Sequence, residues 1–106
     1  MNREITIGFE KLMAMCIIAF GKWNGRQWEY MPHLPKPFTE NINFSHGRNA
    51  DFLCLRVNDL AKVEIWFIDE DDNMFRCPLN EIKKNHLKLY ICLFTHIYDM
   101  IENINS

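Results

Sequence analysis

Residues 80–103 contain neither glycine nor proline, and their apolar side chains fall on two helical stripes. Ile82, Leu89, Leu93, Ile97, Met100 and Ile104 form one stripe, and Leu87, Tyr90, Ile91, Phe94, Tyr98 and Ile101 form the other. A helix apolar on nearly all sides does not suit an ordinary surface position. It must be central to the fold or covered by a partner chain. The pattern predicts a long C-terminal helix, with Asn80 as its cap. Residues 87–94 also fit a short buried strand, because brief apolar runs do not separate the two periods.

A second helical pattern stands near the N-terminus. Phe9, Leu12, Met13, Cys16, Ile17 and Phe20 recur at the spacing of a core-facing helix over about 5–18. Gly21 suits a helix C-terminus. Asn24-Gly25 is the favoured pair for a two-residue type I′ hairpin turn, with residues 19–23 and 26–31 as its strands. Between 31 and 51, Pro32, Pro35, Pro37 and Gly47 break regular structure, which predicts a long ordered loop or edge segment. Residues 52–57, 62–69 and 74–77 read as strands, since Val63, Ile65 and Phe67 alternate with a second face. The expected fold is α+β: an antiparallel sheet of about 4–5 strands packed in two layers against an N-terminal helix and a long C-terminal helix.

The 106 residues predict one domain over 1–106, long enough to bury a core without metal or disulfide staples. The balance of 12 basic against 14 acidic side chains gives net charge -2, which opposes nucleic-acid or anionic-membrane binding. Cys16, Cys54 and Cys92 sit in apolar runs and Cys77 precedes a proline, with no CxxC. They read as reduced thiols in a reducing, cytoplasmic compartment. The apolar stretch 12–20 is short, follows the acidic Glu10 and lacks a cleavage pattern, which predicts no secretory leader. The run 87–94 carries Lys88 and is too short and polar to span a bilayer.

No motif carries recognisable chemistry. Cys92 and His96 lie four residues apart on one helix face and are the only close pair of metal-ligand types. Cys77, His86, His33 and His46 could add ligands only from elsewhere in the fold. A structural zinc site normally shows two such close pairs, so the expected metal set is none. Asp69, Asp71 and Asn73 match the first ligand offsets of a calcium loop. Met74 then replaces the required glycine, and Asn80 stands where the bidentate Glu belongs. Glu81-Ile82-Lys83 after Asp72 has the spacing of a nuclease acid set but reads better as a solvated first helical turn. Ser45 and Ser106 are the only serines, no GxSxG is present, and the four glycines are isolated. No cofactor is expected.

Two features suit protein contacts. Asp69, Glu70, Asp71 and Asp72 concentrate negative charge in one turn, which would steer a basic partner. Trp23, Trp28 and Tyr30, with Phe38 and Phe44 beyond and Arg26 and Arg48 nearby, have the composition of interface anchors. Both also fit blander roles, a solvated hairpin tip and the rim of a core. The leading expectation is a small non-enzymatic module that occludes a partner protein, such as an inhibitor, immunity or antitoxin-type protein facing a basic toxin or nuclease. The alternatives are a homodimeric structural or adaptor subunit joined through the C-terminal helix, and a small metal- or cysteine-dependent enzyme.

Overall fold

The computed structural model describes the backbone of residues 2–105 and the side chains of residues 8–104. Helix α1 (Asn2–Phe20) is followed by strands β1 (Lys22–Trp23), β2 (Trp28–Tyr30), β3 (Ile42–Asn43), β4 (Asn49–Val57), β5 (Val63–Asp69) and β6 (Met74–Pro78). Helices α2 (Leu79–Asn85) and α3 (Leu87–Asn105) complete the chain, and single 3₁₀ turns occur at Lys36–Phe38 and Ser45–Gly47. The strands form one antiparallel sheet in the order β1-β2-β4-β5-β6, with β3 also on β4. The architecture is the predicted α+β one, and the sheet has more strands than expected because β1 and β3 are only two residues long.

Register decides which residues face the helices. Trp28, Val57 and Val63 lie in one cross-strand row, and Tyr30, Leu55, Ile65 and Cys77 lie in the next. A bulge at Leu53 shifts β4 by one residue, so that Phe52 and Leu55 reach the same side. These residues join Phe9, Met13, Ile17, Leu79, Ile82, Leu93 and Ile97 in the core cluster. The opposite side of the sheet carries a row of alternating charge across four strands, Lys22, Glu29, Arg56 and Glu64, beside a row of Cys54, Trp66 and Arg76.

Two expectations change and a third is refined. The hairpin turn is not the two-residue type I′ form, because Trp23 pairs with Trp28 across a four-residue loop. Of its two central candidates only Gly25 takes positive φ, at 99°. The Asn24 side chain instead accepts the N–H groups of Arg26 and Gln27, each at 2.9 Å. Next, the C-terminal helix is two helices. His86 leaves helical dihedrals (φ -138°, ψ 61°), its ring lies 4.5 Å from that of Phe44, and Pro78 rather than Asn80 holds the cap position. Residues 87–94 are helical throughout. The third is a refinement: the expected loop or edge segment over 31–48 contains the two-residue strand β3 on β4 and both 3₁₀ turns.

The all-round apolar character of α3 also finds its cause. Of the first stripe, Leu89, Leu93 and Ile97 enter the core and Met100 packs against it, while Ile104 is exposed, and much of the second stripe packs on α1. Phe9 lies 5.7 Å from Tyr90, 4.8 Å from Phe94 and 6.2 Å from Tyr98, measured between ring centres. Leu87 and Ile91 are left outside, 56% and 53% exposed. No described helix is long and apolar enough to cross a membrane.

Candidate functional site

Strand β4 pairs with β2 near its C-terminal end and with β3 near its N-terminal end. The chain between those two short strands leaves the sheet. Pro32, Pro35 and Pro37 occupy that excursion, where their missing N–H groups break no ladder. It passes beside α3 and leaves a groove of about 460 Å³. His33, Leu34, Pro35 and Phe38 form one wall, and Lys88, Ile91, Cys92, Thr95, His96 and Asp99 form the other. The spacing on α3 is that of one helix side, so a single register brings all six residues to the groove.

The groove lining is mostly apolar, with polar side chains among it. Leu34, Pro35, Phe38 and Ile91 supply the apolar surface, while His33, Lys88, Thr95 and Asp99 supply hydrogen-bonding groups. Behind the lining, Tyr30 bonds to His96. The Tyr30 hydroxyl lies 2.9 Å from His96 Nε2 and donates toward Met100 Sδ at 3.4 Å, and the two rings stack at 5.9 Å. Burial pushes His96 below its usual pKa, against a smaller opposing pull from Asp99. Burial raises the Cys92 thiol and the Tyr30 phenol, with Cys16 adding to the latter. Each of these shifts favours the uncharged side chain. A thiolate, the form of cysteine that attacks carbonyls or binds metals, is disfavoured there.

The Cys92–His96 pair thus lies in one groove as its spacing implies. Among the described residues no group of three or more His, Cys, Asp or Glu side chains is placed to hold a metal ion. The acidic turn divides in function. Asp69 Oδ1 accepts the N–H groups of Asp71 and Asn73, at 3.0 and 2.9 Å. Asp69 Oδ2 accepts from Arg48 Nε and Nη2, at 3.0 and 2.8 Å. The Asn73 N–H leads in holding this carboxyl below its usual pKa, helped by Arg48 and the Asp71 N–H. Asp69 is therefore scaffold, and Glu70, Asp71 and Asp72 are the exposed acids.

The expected aromatic cluster is dispersed. Trp23 is exposed and packs edge-on to the half-buried Trp28, with ring centres 5.7 Å apart. Tyr30 packs against the core and bonds to His96 of the groove wall. Phe44 is a core residue whose ring lies 4.9 Å from Phe67 and 5.0 Å from Phe75. Sequence reading named Phe38 among the aromatics and Ile91 in the second stripe but did not bring them together, and it missed Leu34 and Lys88 as groove walls. The available signal was the second apolar stripe of α3, of which Ile91 is a member. Compared with protein-family models, with curated proteins and with solved structures, the chain matches none.

Proposed function

We propose that this chain is a protein-binding module acting by occlusion, of the inhibitor, immunity or antitoxin type, and that the α3 groove receives its partner. One observation carries the reading. Ile91 and Phe38, on opposite walls of a mostly apolar groove, stay exposed, and apolar side chains left open in this way mark protein contact sites. Glu70, Asp71 and Asp72 would steer a basic partner such as a toxin or nuclease. The four free thiols suit a cytoplasmic setting. The overall charge of -2 speaks against nucleic acid as the partner.

Homodimerisation is a second reading, favoured by Leu87, Ile91 and Tyr98, which lie along the outward side of α3. One experiment addresses both. The tagged chain is captured from its native cell alongside Ile91→Glu, and the purified protein is weighed by light scattering. The expected result is one stoichiometric partner with the wild type, its loss with Ile91→Glu, and a mass near 12.7 kDa for the isolated chain. Equal recovery of the partner by both proteins contradicts the groove. A doubled mass that Ile91→Glu restores to monomer favours the dimer.

A further inference from the structure

The uncovered side of the sheet, facing away from the groove, is built around two ion-paired guanidinium groups. Arg56 Nε donates to Glu29 Oε2 at 2.8 Å, and Asn24 Nδ2 donates to the same oxygen at 3.1 Å. The Arg56 guanidinium rests on the Trp66 ring, 4.4 Å from its centre. On the other side of Trp66, Arg76 Nη1 donates to Glu64 Oε2 at 2.9 Å. Glu64 is only 7% exposed. It also accepts from Trp66 Nε1 at 3.1 Å and from Asn58 Nδ2 at 3.2 Å. Each carboxylate thus takes one N–H of its arginine; the plane of Arg56 is also held by the Trp66 ring, whereas Arg76 stays 63% exposed. A guanidinium held as that of Arg56 is forfeits little rotamer freedom on binding.

Around these groups lies a depression of about 590 Å³ into which Arg26, Arg56 and Arg76 all open. Lys22 stands at the end of the same charged row. Around the depression itself cations therefore outnumber carboxylates, although the whole chain is acidic. Arginine beside tryptophan is the composition of residues that dominate binding energy at protein contacts. A guanidinium fork matches a carboxylate in two parallel hydrogen bonds. Glu29 and Glu64, set inside the patch, would repel the evenly spaced phosphates of a nucleic acid. A carboxylate side chain needs only one gap between them.

We infer that this open sheet face is a second docking surface, and that it takes a segment of a partner protein bearing Asp or Glu side chains. Arg56 and Arg76 receive a carboxylate and Trp66 supplies the apolar floor. The surface lies on the opposite side of the sheet from the groove and does not depend on the groove reading. The test is a titration of the ¹⁵N-labelled full chain at low salt with a hexaglutamate peptide, and in parallel with hexalysine and with a single-stranded oligothymidine. The expected result is movement of the Trp66 indole N–H with hexaglutamate alone, while those of Trp23 and Trp28 stay still. Arg56→Gln with Arg76→Gln should weaken binding about tenfold or more. Arg26→Glu, an exposed change in the hairpin loop that leaves both ion pairs in place, should weaken it in the same direction. Ile91→Glu should leave the titration unchanged, which separates failure here from failure of the groove. A still Trp66 signal throughout overturns the inference. So does tighter binding of oligothymidine than of hexaglutamate, or an Arg26→Glu chain that binds hexaglutamate as the wild type does.

Discussion

Gly21 sits where α1 ends and β1 begins, and its lack of a side chain is a matter of space. A Cβ built there would stand 2.4 Å from the carbonyl oxygens of both Glu29 and Ile17. Both are backbone atoms, and Gly21 N–H already donates to Ile17 O at 2.8 Å. Neither neighbour can swing aside as a long side chain would. Gly21→Ala should therefore destabilise the fold by about 1–3 kcal/mol in denaturant unfolding, as overpacking does elsewhere. The sequence alone marks this glycine as a helix end. It does not reveal the crossing carbonyl of Glu29, which comes from the neighbouring strand. Asp69 teaches the same lesson. That an acid in a turn binds local N–H groups is legible from its type, but its pairing with Arg48, a residue of the loop region, is a tertiary fact.

At the scale of elements, the regular patterns were readable and the interruptions were not. Alternation located β5, and apolar spacing located α1 and α3, because burial of one face imposes a period on the sequence. The break at His86 left no such trace, since residues 80–103 are all compatible with helix. The Pro-rich excursion was legible as non-helical, but its place beside α3 depends on how β2 and β3 share one edge of β4. The division of α3 between core and groove is directly testable. Leu93→Ala should cost about 2–5 kcal/mol, since that side chain is fully buried. Ile91→Ala, on the exposed side of the same helix, should change stability by less than about 0.5 kcal/mol. Equal losses in thermal or denaturant unfolding would show that Ile91 is covered, as in a dimer.

For the molecule as a whole, pH links the groove to stability. Burial holds both His86 and His96 below their usual value of 6.5. The unfolded chain then takes up protons at a higher pH than the folded one. Stability is accordingly complete above about 6.5 and falls as the pH drops through the lower folded values. Asp69, also held low, adds a second loss below its usual 3.8. Unfolding followed from pH 8 to pH 4 should show the first decline, and His96→Gln should reduce it. A flat profile in the wild type would mean that neither imidazole is desolvated. The fold class and its helix–sheet layering were readable at this scale. The groove was not, because its two walls, residues 33–38 and 88–99, are far apart along the chain.

The measurement that bears most directly on the groove as a protein-binding site is site-specific photocrosslinking in the native cell. The reactive group is placed in turn at position 91, in the groove, and at position 71, on the acidic turn. The account predicts a single strong adduct from position 91, of higher mass than two copies of this chain, and a weaker adduct to the same protein from position 71. No adduct from 91, or an adduct to a second copy of the chain alone, would contradict it.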